Sequence, residues 1–102
     1  MAVKVLIRRT VRENKIKEMI PLFRQMRSLA MNQTGYISGE TLKHMVKRET
    51  FLVISTWETA ADWERWFSSE ERRKLQSKID SLLEEKTEYD IFYFGLDDKE
   101  II

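Results

Sequence analysis

The chain has 102 residues, a formal net charge of +1 at pH 7 and no cysteine, and 42% of its residues are hydrophobic. This length suits a single domain with its own core. The lack of cysteine excludes a disulfide framework, a thiolate nucleophile and a Cys-ligated metal. No apolar run approaches the roughly 20 residues that span a bilayer, and the N-terminus alternates too strictly for a secretory signal. We therefore expect a cytoplasmic protein that does not enter membranes.

The small net charge hides an asymmetry between the two halves of the chain. Residues 1–48 contain eleven Lys/Arg and three Asp/Glu, whereas residues 49–102 contain seven and fourteen. A basic half can indicate a surface for nucleic acid. Here the basic residues are scattered and no aromatic-basic motif accompanies them, so we expect no nucleic-acid binding. The charges should largely pair if the two halves interleave in one sheet.

A strand and an amphipathic helix are the first predicted elements. Residues 3–9 alternate with a period of two, which is typical of a strand. From Glu13 the apolar residues recur at three and four positions, which indicates a helix. Pro21 lies inside that helix and is expected to kink it. Gly35 follows the helix and can take the positive φ of a tight exit.

Two further strands, over residues 36–46 and 49–57, are predicted to form a hairpin that turns near Lys47. Gly39 in the first of these strands indicates a β-bulge or a close backbone approach. The second strand, TFLVISTW, is apolar on both faces. Such a strand must be covered twice, once by helices and once by something else. In so small a chain, we expect that second cover to be another copy of the protein.

Two helices separate this hairpin from the last strand. Thr59 is the predicted cap of the first helix, which carries on one face Trp63, Trp66 and Phe67. The sequence Ser-Ser-Glu-Glu at residues 68–71 begins the second helix in the same way. The apolar stripe of the second helix is predicted to comprise Leu75, Ile79, Leu82 and Leu83.

The last predicted strand covers residues 88–96 and is again apolar on both faces, and the tail 97–102 is expected to be peripheral. The element order is therefore strand, helix, strand, strand, helix, strand within one domain, 1–102. This order favours an α+β, ferredoxin-like (βαββαβ) fold, with a four-stranded antiparallel sheet and its helices on one face. The uncovered apolar face predicts a homodimer in which two sheets form an α+β barrel.

The element order and the block VISTWETAADWERWFSSEERRKL resemble the antibiotic biosynthesis monooxygenase (ABM) family of dimeric α+β barrels. The resemblance extends over residues 2–95. It implies a homodimer that oxidises a small aromatic or quinone-type molecule, without a cofactor, in a cavity between sheet and helices. A non-catalytic ligand-binding or structural homodimer is the alternative.

The haem-degrading branch of that family is disfavoured by two positions. Its members have an Asn on the first strand, a Trp on the middle helix and a haem-ligating His about ten residues after that Trp. Trp66 matches the tryptophan, but Gln76 occupies the histidine position and the first strand has no Asn. Because an amide is a poor iron ligand, we expect neither haem nor any other cofactor or metal. A haem-binding protein that uses His44 as its ligand is a less favoured alternative.

Six residues are candidates for the site. The predicted substrate-binding residues are Trp57, Trp63, Trp66 and Phe67, which otherwise would be core and dimer anchors. Only Trp66 is also implied by the resemblance. His44 and Tyr36 are the candidate catalytic base or donor.

His44 is the only histidine, and imidazole is the side chain that most often acts as a general base. The competing interpretation is a surface or interface histidine. Strand parity predicts that Tyr36, Glu40 and His44 share one face of the sheet. Arg8, Arg9 and Arg12 are interpreted as a solvated strand end, with attraction of an anionic substrate as the alternative.

Overall fold

A four-stranded antiparallel sheet with its helices on one face forms the protein in the computed structural model, which describes residues 1–95. The strands are β1 (Val3–Thr10), β2 (Tyr36–Lys43), β3 (Thr50–Trp57) and β4 (Glu88–Tyr93), in the spatial order β2-β3-β1-β4. The helices are α1 (Ile16–Met31), α2 (Ala60–Ser68) and α3 (Glu70–Asp80), and a 3₁₀ turn, Glu13–Lys15, precedes α1. The predicted ferredoxin-like fold is confirmed.

The core lies between the sheet and the helices. On β1 the residues that face the helices are the alternate ones, Val3, Val5 and Ile7, all at most 5% exposed. Each such side chain contributes about 1.5–3 kcal/mol by leaving water. The helices contribute Met19, Met26, Trp63, Trp66, Leu75 and Ile79 to the same core.

The opposite side of the sheet, which we call the open face, is apolar but is not covered by any element of residues 1–95. Its apolar residues are Leu6, Leu42, Leu52, Ile54 and Phe92, placed there by their pairing in the sheet. Leu42 and Phe92 are 44% and 55% exposed. The predicted two-sided character of β3 is therefore present in the structure.

Several element boundaries differ from those predicted. Strand β2 ends at Lys43 because the ring of His44 accepts hydrogen bonds from the backbone N–H groups of Val46 and Lys47 and so forms a turn. Helix α3 ends at Asp80, and Leu83 instead forms an isolated bridge with Val11. Helix α1 continues through Pro21. The predicted last strand ends at Tyr93, while residue 96 and the tail 97–102 lie outside the described residues.

A β-bulge changes the parity of β2. Tyr36 pairs with Trp57 and Ser38 pairs with Thr56, so that Ile37 is an extra residue. Tyr36 consequently faces the helices, whereas Glu40 is on the open side of the sheet. The prediction that Tyr36 and Glu40 share a face is therefore wrong, because one inserted residue reverses the alternation.

Among residues 1–95, no helix is long and apolar enough to cross a membrane. The same residues contain no cluster of three or more His, Asp or Glu side chains that could hold a metal ion.

Candidate functional site

A small cavity, here called the aromatic cavity, lies between the sheet and the helices. Its volume is about 50 Å³, counted as positions open to the centre of a water molecule, which is room for about three to five waters. Its apolar wall includes Ile7, Phe23, Met26, Trp57, Trp63 and Trp66. Its polar lining residues are Arg9, Arg27, Tyr36, Glu40, Thr41, Ser55 and Arg72.

Three aromatic rings form a continuous edge-to-face series along one side of this cavity. The ring of Trp57 lies 5.4 Å from that of Tyr36 at an interplanar angle of 89°, and 5.8 Å from that of Trp63 at 64°. Edge-to-face packing is favourable because the positive edge of one ring meets the negative face of the next. The indole N–H of Trp57 donates to Ser55 Oγ at 3.1 Å. These contacts orient the Trp57 ring between its two aromatic neighbours.

Helix α2 supplies the two other tryptophans. Its N-cap is Thr59, whose hydroxyl accepts a hydrogen bond from the backbone N–H of Asp62 at 3.1 Å. The cap fixes where the helix begins, and the three-residue spacing then buries both Trp63 and Trp66, each 3% exposed. Both line the aromatic cavity, as does Trp57 on β3.

Phe67 has a different position from the three tryptophans. Its side chain is 41% exposed and is not among those that line the aromatic cavity. Its ring lies 5.6 Å from Trp63 and 5.2 Å from Tyr89. In the structure Phe67 therefore supports the cavity wall from behind, and a direct role in substrate binding stays a prediction.

Tyr36 does line the aromatic cavity, because the bulge turns it toward the helices. Its hydroxyl lies over Gly39, so close that a Cβ atom on Gly39 would be 2.5 Å from Tyr36 Oη. The expectation of a close approach at Gly39 is thereby confirmed, although the bulge itself is at Ile37.

His44 lies in the exposed turn after β2, and it is not among the residues that line the aromatic cavity. Its Nδ1 atom accepts two backbone N–H groups, at 3.0 and 2.9 Å. The structure thus separates His44 from Tyr36, which lies at the opposite end of β2. A catalytic role of His44 stays a prediction that would require a ligand outside this cavity.

Arg9 does not belong to a solvated strand end. It continues the buried alternation of β1 and is 2% exposed, whereas Arg8 and Arg12 are exposed. Its Nη2 donates to Gln76 Oε1 at 2.8 Å, and its guanidinium carbon lies 5.6 Å from the centre of the Phe23 ring. Its Nε has no hydrogen-bond partner among residues 1–95. The solvated interpretation is wrong for this one arginine.

Arg72 is a second buried cation on the same cavity, also 2% exposed. Ser69 caps α3 by accepting the backbone N–H of Arg72 at 3.2 Å, which sets this residue in the first turn, facing inward. Its Nη2 donates to the hydroxyl of Tyr89 at 3.1 Å, while its Nε has no hydrogen-bond partner within the described part of the chain. Its guanidinium carbon is 5.4 Å from the ring centre of Trp63 and 5.1 Å from that of Phe67.

Neither buried guanidinium is paired with a carboxylate of the described residues. Among residues 1–95, no carboxylate oxygen lies within 4.0 Å of Arg9 or Arg72. Burial lowers the pKa of Arg9 from 12.5 to about 10; nearby Tyr89 opposes this shift and the positive charge of Arg72 adds to it. Arg9 therefore remains cationic at neutral pH. The cavity lining contains two further arginines, Arg27 and Arg72, and one acidic residue, Glu40, so basic residues outnumber acidic ones there.

The position that bears histidine in the haem-degrading branch has another use here. The side chain of Gln76 accepts from Arg9 through Oε1, and its Nε2 donates to Asp80 Oδ1 at 2.8 Å and to Thr87 Oγ1 at 3.2 Å. An amide is a weak donor to iron, and this one is already fully engaged. These residues do not fit a haem-ligating site.

The sheet order and the helices on one face of the sheet define a protein of the ferredoxin-like α+β class. The sequence profile described as antibiotic biosynthesis monooxygenase matches residues 2–78. The chain belongs to the antibiotic biosynthesis monooxygenase family. Comparison with curated proteins finds no significant sequence match.

Solved structures agree with this fold. SnoaB, a cofactor-independent oxygenase from Streptomyces nogalater, is 17% identical, with a TM-score of 0.83 over 97% of this chain and 98% of that one. A conserved protein from Methanosarcina mazei is 16% identical, with a TM-score of 0.85 over 90% of this chain and 91% of that one. At such low sequence identities, the structural similarity shows a shared fold and nothing about activity.

Proposed function

We propose that the protein is a cofactor-independent monooxygenase that converts a small phenol-type or quinone-forming aromatic molecule inside the aromatic cavity. The observation that carries this proposal is the cavity itself, in which an aromatic wall is combined with two buried cations. Aromatic rings provide a flat, dry surface for a planar ligand, and a few polar groups orient it. Membership of a family named for its monooxygenases supports the reaction type.

The proposed reaction needs no external reductant. The phenol loses its O–H proton, and the phenolate passes one electron to dioxygen. The resulting radical and superoxide recombine to form a bond between a ring carbon and oxygen. The outer oxygen of this peroxide then takes up the proton from that carbon as the O–O bond breaks, and it leaves as hydroxide. One oxygen atom becomes the second quinone oxygen, and the other becomes water after taking up the first proton.

The residues of the cavity would support this sequence in different ways. Trp66 and Trp63 would hold the ring and exclude water, which strengthens electrostatic interactions with charges that develop on the substrate. Tyr36 would donate a hydrogen bond from its hydroxyl to a substrate oxygen. The two guanidinium groups would stabilise the phenolate, so that a dedicated base is not required inside the cavity.

We also propose that the open face is the interface of a homodimer. Leu6, Leu52 and Ile54 form its centre, and the more exposed Leu42 and Phe92 extend it. A large exposed apolar patch is costly for a monomer in water. Pairing two such faces across a two-fold axis buries the same patch on each copy, as an isologous interface requires.

Oxygen consumption tests the enzymatic proposal. A series of small phenols would be incubated with the protein in air-saturated buffer containing a chelator, and their spontaneous oxidation would be subtracted. We expect consumption that depends on the protein, is unaffected by the chelator and falls at least tenfold for Trp66→Phe and for Tyr36→Phe. Tyr93→Phe is the matched control, because Tyr93 is 67% exposed and does not line the cavity.

Absence of oxygen consumption with every substrate would reject the oxygenase and favour the second candidate, a non-catalytic ligand-binding homodimer. The position of His44, the chain's single imidazole, outside the cavity favours this candidate. Oxygen consumption that both cavity variants retained in full would reject the roles assigned to Trp66 and Tyr36.

A further inference from the structure

We infer that the aromatic cavity is an oxyanion-binding site, built by Arg9 and Arg72 for a small single-ring aromatic acid. This inference deepens the proposed function and rests on it, since it concerns the ligand of the same cavity. The acidic group would be a carboxylate or an ionised phenol, and the two share the negatively charged oxygen that the arginines would bind.

Charge is the first reason. Two guanidinium groups, each 2% exposed, line one cavity without a carboxylate within 4.0 Å among residues 1–95. Buried charges in proteins are normally paired or bound to an ion. The carboxylate of Asp80 acts on Arg9 by Coulomb attraction through space, but it hydrogen-bonds to Gln76 and not to Arg9. A bound anion would supply the missing negative charge.

Unused hydrogen-bond donors are the second reason. Each guanidinium makes its hydrogen bond to a neutral group, Gln76 for Arg9 and the Tyr89 hydroxyl for Arg72. The Nε atom of each is buried and has no hydrogen-bond partner among the residues that the structure describes, 1–95. Buried donors are rarely left unsatisfied unless they have a function. Guanidinium donors are arranged in a planar fork that suits carboxylate and other oxyanions.

The surroundings of the two cations restrict the ligand further. The guanidinium of Arg9 lies over Phe23, and that of Arg72 lies near Trp63 and Phe67. These contacts hold the guanidinium groups in place along the aromatic wall. A ligand would therefore place its charged oxygen on the arginines and its ring against the tryptophans.

The size of the cavity favours one ring over several. Its volume of about 50 Å³ is room for about three to five water molecules, which together occupy roughly 90–150 Å³ of liquid. A benzoate-sized molecule matches this space, whereas a tricyclic ligand would require the helices to move away from the sheet.

Binding to the intact protein, measured by calorimetry, tests the inference separately from turnover. Benzoate would be compared with benzamide, which has a similar shape but no charge, and para-nitrophenolate with nitrobenzene. We expect at least one of the two anions to bind ten times or more tighter than its neutral counterpart. A preference for benzoate would identify a carboxylate site, and a preference for para-nitrophenolate a phenolate site. Equal binding of both charged and neutral ligands, or no binding by either anion, would overturn the inference.

Substitutions then locate the effect. Arg9→Met and Arg72→Met should each reduce the preference for the anion at least fivefold, whereas Arg73→Met, which changes an exposed neighbour on α3, should leave it unchanged. If a methionine variant does not fold, Arg9→Lys keeps the charge but removes the planar fork and should weaken benzoate binding. An anion preference that survives both Arg9 and Arg72 substitutions would contradict the assignment. Anion binding without oxygen consumption would support the oxyanion site and reject only the proposed oxygenase activity.

Discussion

Arg9 on β1 donates a hydrogen bond from Nη2 to Oε1 of Gln76 on α3, over a distance of 2.8 Å. Through this contact, a strand and a helix that are 67 residues apart in the chain together hold a cation on the wall of the aromatic cavity. Gln76 in turn is fixed by Asp80 and Thr87. Arg9 is therefore oriented by the neutral amide of Gln76 and not by a direct ion pair with a carboxylate.

Substitution of this arginine should stabilise the protein. Burial lowers the pKa of Arg9 from 12.5 to about 10, which corresponds to a cost of about 3 kcal/mol for keeping it charged in the folded state. Replacing a buried charge by an apolar residue of similar volume is often stabilising, so Arg9→Met should raise the free energy of unfolding by about 1–3 kcal/mol. Urea denaturation at neutral pH measures this change.

Arg24→Met provides the control for that experiment, because Arg24 is exposed on α1 and its substitution should change stability by no more than about 0.5 kcal/mol. A loss of stability for Arg9→Met would mean that the contacts with Gln76 and Phe23 outweigh the desolvation of the charge.

The position of the Tyr36 hydroxyl depends on the absence of a side chain at Gly39. A Cβ atom there would lie 2.5 Å from Tyr36 Oη, so Gly39→Ala should displace the tyrosine ring from Trp57. We expect a loss of about 1–2 kcal/mol of stability, altered tryptophan fluorescence and weaker ligand binding. Ser38→Ala, at the neighbouring exposed position, should change none of these properties. Unchanged fluorescence and binding in Gly39→Ala would show that the ring is free to move.

The start of α2 should make stability depend on pH. Asp62 accepts hydrogen bonds from the hydroxyl of Thr59 at 2.8 Å and from Arg65 at 3.0 Å, and these hold its pKa below the ordinary 3.8. A depressed carboxyl pKa stabilises the fold at pH values above the ordinary value, and this stabilisation is lost as the pH falls through the folded-state pKa. The stability difference between the wild type and Asp62→Asn should therefore decrease below pH 3.8.

Thermal unfolding of both proteins, from neutral pH to about pH 3, measures this difference. Glu64→Gln changes an exposed carboxylate on the same helix and should follow the wild type throughout. A constant difference between Asp62→Asn and the wild type over the whole range would refute the role of the ionised Asp62 carboxylate at this helix terminus.

The proposed dimer should be disrupted by one charge at the centre of the open face. Ile54 is partly buried there, next to Leu6 across the strand pair. Ile54→Lys should convert the dimer to a folded monomer in sedimentation at micromolar concentration, because an unpaired charge is costly in an apolar interface. Ile20→Glu, which alters an apolar side chain 40% exposed on α1, should remain dimeric. A wild type that sediments as a monomer would reject the interface.

Periodicity predicted most of this architecture. The alternation over β1 and the two-sided apolar pattern of β3 arise because buried positions require apolar side chains. Any chain that folds into this sheet has the same requirement, so the pattern is visible in the sequence. Strand ends were harder to predict, since β2 stops where the side chain of His44 accepts two backbone N–H groups. That local competition leaves no periodic signal in the sequence.

The burial of Arg9 and Arg72 could have been predicted from the apolar pattern, but their charge indicated exposed side chains. Arg9 is in phase with Val5 and Ile7, and Arg72 precedes Leu75 and Ile79 at helical spacing, so that pattern alone places both in the core. The usual exposure of arginine favours the opposite interpretation. A charged residue in phase with an apolar face is therefore a signal for a buried, functional cation.

The bulge at Ile37 has a consequence for any alignment of this chain with its relatives. In a regular strand, side chains on one face are two residues apart, so the neighbour of Gly39 on the cavity side would be residue 37. Because of the bulge, that neighbour is instead Tyr36, three residues before Gly39. A gapless alignment with a relative whose strand is regular would match Ile37, which is 52% exposed, to the cavity-facing side chain. The alignment would then indicate that this chain has no hydroxyl at the position, although Tyr36 provides one.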